Sequence, residues 1–270
     1  MISLSEKEFI ELTSFIQGNY GINLTEKKVL LESRLQNVLS ENGFNNFDDY
    51  FHYVLADQTG EAITTLINKI TTNHTYFLRE INHFTYFRDQ VLPYLTAMSR
   101  ERDLRIWSAG CSTGEEPYVL AMIIADYLGL NQQLWDSQIL ATDISQKVLD
   151  IAAGGVYTED QITAIPFHWK HCYFKKDTDG KYIITHPIKD QVIFRRHNLF
   201  SPFFPFKKPF HVIFCKNVMI YFDTQTKHEL VNRLYEITEP GGYLFIGLSE
   251  SLNRDATKYK YISPAIYRKE

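Results

Sequence analysis

The chain has 270 residues, of which 44% are hydrophobic and 22% are charged, a composition typical of a folded protein with room for two domains. Its formal net charge of −4 argues against a general nucleic-acid-binding function, because such proteins carry an excess of positive charge. Cys111, Cys172 and Cys215 are far apart and form no CxxC pair, so their spacing indicates neither a zinc site nor a disulfide framework. With no signal-peptide pattern and no apolar run long enough for a membrane span, the sequence predicts a cytoplasmic protein.

The first part of the chain predicts four short helices over residues 5–72. Ser5 and Glu8 have the spacing of a capping box, and apolar residues follow at helical intervals. The same pattern recurs in "TEKKVLLESRLQNVLSENG", "FDDYFHYVLA" and "GEAITTLINKITTN". We interpret these apolar stripes as the core of a small all-α N-terminal domain, which together with its linker spans residues 1–84.

From about residue 100 the sequence changes to short apolar runs separated by helical patterns. The runs are "LRIWSAG", "QILATD", "VIFRRHN", "FHVIFCKN" and "GYLFIGL". Alternation of this kind predicts an α/β domain over residues 85–270, with a mostly parallel sheet and helices on both faces. The final "KYISPAIYRKE" predicts one antiparallel edge strand. The segment 170–188 reads as a hairpin with "DTDG" as its turn, so we expect a small antiparallel β-subdomain inserted around 165–190.

The loop after the first strand, "AGCSTGEEP", begins a helix with two carboxylates and contains no lysine. Gly110 and Gly114 allow a ligand to approach the backbone closely, and sheets of this kind bind ligands beyond the carboxyl ends of their strands. Glu115 and Glu116 would repel a pyrophosphate, but they suit a cationic or hydroxyl-rich ligand. Alternatively, one or both only stabilise the N-terminus of the helix.

Asp143 ends the next apolar run. A carboxylate at this place commonly accepts hydrogen bonds from ribose hydroxyls, although Asp143 also suits the N-cap of the following helix. A ribose site without a phosphate site favours an adenosine ligand that carries a positive charge. S-adenosylmethionine has both features.

Five segments carry a resemblance to a known family: "ITTNHTYFLRE", "WSAGCSTGEEPY", "ATDIS", "HNLF" and "FHVIFCKNVMIYF". They occur in order over nearly the whole chain, which resembles the chemoreceptor glutamate methyltransferases of the CheR type. The resemblance implies transfer of a methyl group from S-adenosylmethionine to glutamate side chains of chemoreceptors, without a metal, in chemotactic adaptation. It also implies a helical N-terminal domain and a Rossmann-like methyltransferase domain with a small inserted β-subdomain.

By this resemblance the cofactor is held by Asn73, Thr75, Arg79, Glu116, Asp143, Asn198, Leu199, Cys215, Lys216 and Asn217. Asp143 would take the ribose, while Asn198 and Leu199 would flank the adenine. Two positions depart from the family's pattern: Lys216 stands where arginine is frequent, and Leu78 stands where phenylalanine is common. An ammonium does not reproduce the planar fork of a guanidinium, so the role of Lys216 is open.

Arg79 and Tyr221 are the expected catalytic residues. A glutamate acceptor is already ionised at neutral pH, so the reaction needs no general base and depends on alignment. Arg79 matches a carboxylate geometrically and is our candidate for orienting the acceptor; the alternative is a structural salt bridge. Tyr221 borders the methyl group, either by hydrogen bonding near the sulfonium or by filling the methyl pocket.

The implied partner is the cytoplasmic helical region of membrane chemoreceptors. Lys27, Lys28 and Arg34 on the second helix form either the surface that faces it or an ordinary solvated face. The turn "KKDTDGKY" lacks the glycine-rich, arginine-bearing loop associated with docking on a receptor's C-terminal pentapeptide, so we expect no such tether. Two alternatives are a methyltransferase with another acceptor, and a non-catalytic sensor of S-adenosylmethionine or S-adenosylhomocysteine.

Overall fold

The computed structural model describes residues 2–71 and 74–270. Within the first of these ranges it contains the four predicted helices, α1 (Glu6–Tyr20), α2 (Lys28–Glu41), α3 (Phe47–Ala56) and α4 (Glu61–Ile70). Ser5 and Glu8 form the expected capping box at the start of α1. The apolar faces of the four helices meet in one core, which confirms the all-α N-terminal domain.

The α/β domain begins with two short helices joined by a π-helical segment, Phe87–Val91. Its elements in chain order are α5 (Ile81–Tyr86), α6 (Leu92–Met98), β1 (Ile106–Ala109), α7 (Glu115–Leu128), β2 (Ile139–Asp143), α8 (Gln146–Gly154), β3 (Val156–Tyr157), α9 (Phe167–Tyr173), β4 (Phe174–Lys176), β5 (Tyr182–Ile184), α10 (His186–Lys189), β6 (Val192–Arg196), β7 (Phe210–Cys215), α11 (Thr224–Glu236), β8 (Thr238–Ile246), β9 (Lys260–Ser263) and β10 (Ile266–Arg268). In the described parts of the chain, no helix has both the length and the apolar character that crossing a membrane requires.

The main sheet has seven strands in the order β6-β2-β1-β7-β8-β10-β9. The first five run parallel, as predicted, and the last two are antiparallel. The single edge strand predicted from the C-terminal segment is wrong, because the chain reverses at Pro264 and Ala265 and forms two strands. Ala265 adopts a left-handed conformation (φ 60°), which permits this tight turn.

The inserted β-subdomain is a three-stranded antiparallel sheet in the order β3-β5-β4. Strands β4 and β5 flank the predicted turn, where the Asp177 carboxylate accepts the backbone N–H groups of Asp179 and Lys181. Strand β3 is a third member that the sequence did not predict, since two residues carry no readable periodicity. The first part of the predicted hairpin, residues 170–173, belongs to α9 instead.

The helical domain packs over the carboxyl ends of the parallel strands. Ile22, just after α1, forms a β-bridge with Phe222, and the Asn68 side chain donates to the Ser145 hydroxyl at 2.9 Å. The helical core extends to Ile70, whereas Phe77 already packs into the core of the α/β domain. The two domains therefore meet at the edge of the sheet where ligands bind in folds of this type.

Two glycines, one in β8 and one in α1, test how closely the chain is packed at each position. A Cβ on Gly242 in β8 would lie 2.8 Å from the carbonyl oxygens of Glu239 and His211, whereas a Cβ on Gly18 in α1 has no atom within 4 Å. These carbonyl oxygens belong to the backbone and can move only at an energetic cost. We therefore expect Gly242→Ala to lower the free energy of unfolding by about 1–3 kcal/mol. Gly18→Ala should raise it by about 0.5–1 kcal/mol through helix propensity. Thermal unfolding measures both, and a Gly242→Ala protein as stable as the unmodified one would contradict the register of β7 and β8.

Candidate functional site

A cleft opens between the two domains at the carboxyl ends of β1, β2, β6 and β7. It encloses about 1110 Å³, including the part that is open to solvent. The helical domain contributes one wall through Tyr20, Ile22, Ile67, Asn68 and Thr71. The opposite walls come from the loops that follow the four strands and from residues 74–79.

The structure brings most of the predicted site residues together around this cleft. Its walls include Thr75, Arg79, Glu116, Asp143, Asn198, Leu199, Lys216, Asn217 and Tyr221. Asn73 lies outside the described residues. Cys215 is placed differently, since its side chain is fully buried in an apolar cluster with Leu230 and Leu234 of α11. Burial, with smaller contributions from nearby carboxylates, raises the pKa of this thiol well above its ordinary value.

The loop after β1 is fixed against two neighbours. The backbone N–H groups of Gly110 and Cys111 both donate to the carbonyl oxygen of Thr142, at 2.8 and 2.9 Å. Gly110 has a φ of 84°, and a Cβ there would lie 2.5 Å from a methyl group of Val218. Only glycine fits this position, because both the left-handed backbone and the contact exclude a side chain. The loop thus lies directly against the segment that follows β7.

Glu115 and Glu116 point to different surroundings. Glu115 is buried, and its two carboxylate oxygens accept the Thr113 hydroxyl at 2.9 and 2.7 Å. Glu116 lines the cleft; its Oε1 accepts the Ser108 hydroxyl at 2.8 Å, and its Oε2 lies 3.2 Å from Lys216 Nζ. The sequence left open whether these carboxylates face a ligand or only stabilise the local structure at the start of the helix. The second interpretation applies to Glu115. Glu116 presents its charge to the cleft.

Asp143 is held rigidly at the end of β2. Its Oδ2 accepts the Ser112 backbone N–H at 2.9 Å, and its Oδ1 accepts that of Ser145 at 3.0 Å. Burial raises the pKa of Asp143, while these two hydrogen bonds act in the opposite direction. The N-cap of α8 is Ser145, not Asp143, so the alternative interpretation of Asp143 as a helix cap does not hold. Its remaining lone pairs are available at the cleft wall.

Lys216 is a buried cation with several close partners at the site. Its ammonium lies 3.2 Å from Glu116 Oε2 and 3.4 Å from Glu80 Oε2, and it donates to the Arg79 carbonyl oxygen at 3.3 Å. It also lies 4.8 Å from the centre of the Phe84 ring. Only 4% of the side chain is exposed, and a cation so deeply buried requires compensating partners of this kind.

Arg79 and Tyr221 both line the cleft between the two domains. The Arg79 guanidinium donates to the His74 carbonyl oxygen, and no carboxylate of the described residues forms an ion pair with it. The alternative of a structural salt bridge at Arg79 is therefore not realised. Tyr221 packs against the helical core, and its carbonyl oxygen accepts the Asn23 backbone N–H at 2.8 Å.

Two acidic residues that contact the walls of the cleft without lining it were missed by the sequence analysis. Glu250, which is 5% exposed, accepts the backbone N–H groups of Gly247, Asn217 and Ile220 at 2.6, 3.0 and 3.1 Å. Asp143 was identified because it ends a strand, whereas Glu250 follows the end of β8 at Ile246 by a short loop and gave a weaker signal of the same kind. Glu80 gives no local signal, because only folding brings it to Lys216.

The cleft has the chemistry for a hydroxyl-rich cation. Ser112 Oγ and His197 Nε2 lie buried in its walls without a hydrogen-bond partner among the described residues. Each such atom costs about 1–3 kcal/mol unless a ligand satisfies it. The carboxylates of Glu80 and Glu116 exceed the Lys216 ammonium by one negative charge. In the described part of the chain, no group of three or more His, Cys, Asp or Glu side chains is arranged to hold a metal ion. These residues fit S-adenosylmethionine.

Comparison with known proteins agrees with this fit. The family model described as "CheR methyltransferase, all-alpha domain" matches residues 7–71, and "CheR methyltransferase, SAM binding domain" matches residues 73–267. The chain is 42% identical to the chemotaxis protein methyltransferase of Borreliella burgdorferi, over 99% of this chain and 96% of that protein. It is 32% identical to that of Escherichia coli, over 98% of this chain and 92% of that protein. With both domains matched and an adenosylmethionine-type cleft between them, the chain belongs to the CheR methyltransferase family.

Proposed function

We propose that this protein transfers the methyl group of S-adenosylmethionine to glutamate side chains of chemoreceptors and so forms methyl esters. Family membership supports the reaction class. The observation that carries the proposal is the meeting of Glu116, Asp143 and Arg79 around one cleft. The chemotaxis methyltransferase relatives support a chemoreceptor as the acceptor.

Different residues of the cleft bind different parts of the cofactor. When bound, S-adenosylmethionine supplies an electrophilic methyl group on a positively charged sulfur. Asp143 is pre-oriented by two backbone N–H groups and offers its free lone pairs to the ribose hydroxyls. Asn198 and Leu199 flank the adenine, and Glu116 supplies negative charge to the cationic part of the ligand. Thr75 and Asn217 also line the cleft, whereas Cys215 does not.

Arg79 and Tyr221 act on the acceptor side. A glutamate carboxylate needs no deprotonation at neutral pH, so its orientation is the main requirement. The Arg79 guanidinium binds the carboxylate and aligns one oxygen with the methyl group. This ion pair stabilises the ionised acceptor more than the transition state, where charge is neutralised, so Arg79 favours binding and geometry over a lower barrier. Tyr221 limits the space for the methyl group at the domain junction.

The chemical stability of the methylated product tests the proposed reaction. We expect a cytoplasmic chemoreceptor fragment, incubated with the protein and methyl-labelled S-adenosylmethionine, to gain label that mild alkali releases as methanol. Replacing the receptor's acceptor glutamates with alanine should abolish this label. A base-stable label would mean another acceptor chemistry, and binding of the cofactor without any label would identify a sensor.

The cofactor assignment rests on Asp143. We expect Asp143→Ala to weaken the binding of both S-adenosylmethionine and S-adenosylhomocysteine by about 1–3 kcal/mol, the range for hydrogen bonds to a charged group. Titration calorimetry measures this, with Asp150→Ala on the exposed side of α8 as the matched control. Equal affinities in the two variants would contradict the role of Asp143 in the cleft.

The three candidate receptor-facing cations of the helical domain differ in their contacts. Lys28 pairs with Glu6 at 2.6 Å, and Arg34 donates to the Ile70 carbonyl oxygen at 2.7 Å. Lys27 has no ion-pair partner within residues 2–71 and 74–270. We therefore propose that Lys27 contributes most to attracting the acidic methylation helices of the receptor.

We expect Lys27→Glu to lower kcat/KM for the receptor roughly threefold to tenfold at low salt, with cofactor affinity unchanged. Lys207→Glu, in the exposed loop that leads into β7 at the other end of the sheet, is the control. Equal rates for both variants at low salt would remove Lys27 from the interface.

We propose further that no tail tether is used, since β4 and β5 are three residues long and joined by a tight turn. Tight binding of a receptor-tail pentapeptide in a pull-down would overturn this.

A further inference from the structure

Three formal charges are grouped at the end of β7. The Lys216 ammonium lies between the carboxylates of Glu116 and Glu80, at 3.2 and 3.4 Å. Their exposed side-chain fractions are 4%, 16% and 12%, so solvent screens the group only weakly. We call these three residues the charge cluster, and its formal sum is one negative charge.

Glu80 is held in its ionised form by the surrounding structure. Its Oε1 accepts the Leu248 backbone N–H at 3.0 Å and the Asn217 side-chain amide at 3.4 Å. Burial alone would raise the pKa of Glu80, but the Leu248 hydrogen bond and the Lys216 ammonium outweigh it and bring the pKa below its ordinary value. Glu80 also has a left-handed backbone (φ 59°), which these contacts hold in place.

The neighbouring histidine adds no charge to this balance. His83 Nδ1 lies 3.5 Å from Glu80 Oε2. Burial, followed by the Lys216 ammonium, lowers the pKa of His83 to about 4. Its ring is therefore neutral at physiological pH, and the charge cluster keeps its single negative charge.

The two carboxylates differ in their relation to the cleft. Glu116 and Lys216 are part of its walls, whereas Glu80 is not and contacts two wall residues, Lys216 and Asn217. We propose that Glu80 is a specificity-determining residue: it offsets the Lys216 ammonium, so that the charge cluster favours the sulfonium of the cofactor over the neutral sulfur of the product. This inference rests on S-adenosylmethionine being the ligand, as proposed above.

The physical reason is charge arithmetic in a poorly screened site. S-adenosylmethionine and S-adenosylhomocysteine share their adenosine, ammonium and carboxylate groups and differ by a methyl group and the positive charge on sulfur. A change of one unit in the cluster therefore alters the affinity of the two ligands unequally. Without Glu80, the Lys216 ammonium would cancel Glu116, and the charge cluster itself would carry no net charge to attract the sulfonium. The ratio of the two affinities therefore reports the net charge of the cluster. General damage to the cleft lowers both affinities alike and leaves the ratio unchanged.

The experiment measures the dissociation constants of both ligands by titration calorimetry at pH 8. Glu80→Gln brings the cluster to zero charge, and we expect the preference for S-adenosylmethionine over S-adenosylhomocysteine to fall by about threefold to tenfold. Lys216→Met brings it to two negative charges and should raise the preference by a similar factor. The double variant, Glu80→Gln with Lys216→Met, again has one negative charge and should return towards the original preference.

One control separates charge from structure. Glu236→Gln removes a carboxylate from the exposed ion pair with Lys258 and should leave the preference unchanged. An unaltered preference in Glu80→Gln, whatever its overall loss of affinity, would overturn the proposal, as would a double variant that departs further than either single one. Failure of the unmodified protein to bind either ligand would instead refute the cofactor assignment.

Discussion

The ion pairs of Lys216 connect parts of the chain that are distant in sequence. They join the end of β7 to the first turn of α7 through Glu116, and to the segment that carries Arg79 through Glu80. A buried ammonium is costly to desolvate, and the two carboxylates offset that cost. The positions of Arg79 and Glu116, on which the proposed alignment of cofactor and acceptor depends, are therefore coupled through one side chain.

The lysine also explains how the chain tolerates its departure from the family's frequent arginine. An ammonium has three N–H donors, and here three oxygens lie within 3.4 Å, from Glu80, Glu116 and the Arg79 backbone. A guanidinium presents five donors in a fixed planar fork and would meet these oxygens differently. Phe84 packs beside the charged end of the lysine. The surroundings of Lys216 therefore compensate a compact charge and do not require a planar fork.

Local sequence patterns predicted the framework of the molecule better than its cross-connections. Short apolar runs that alternate with helical patterns predicted the parallel strands. Gly110 and Asp143 could be placed because they lie at the ends of such runs. The C-terminal hairpin and strand β3 were missed, since two- to four-residue strands carry too little periodicity. Glu80 could not be assigned from sequence, because its partners Lys216 and Leu248 meet it only in the folded chain. Cys215 shared a motif with cleft residues, yet strand alternation turns its side chain into the core.

The helical domain is part of the site and not only a neighbour of it. The Asn23 backbone N–H donates to Tyr221, and the carbonyl oxygen of Asn19 accepts the Asn198 side-chain amide at 3.0 Å. Each of these hydrogen bonds contributes only about 1 kcal/mol, but both bind loops that carry site residues. Displacing the end of α1 would therefore move the wall beside the proposed adenine position and the wall beside the proposed methyl position together. For this reason the shape of the cleft depends on how the helical domain is seated, and that domain is the one proposed to meet the receptor.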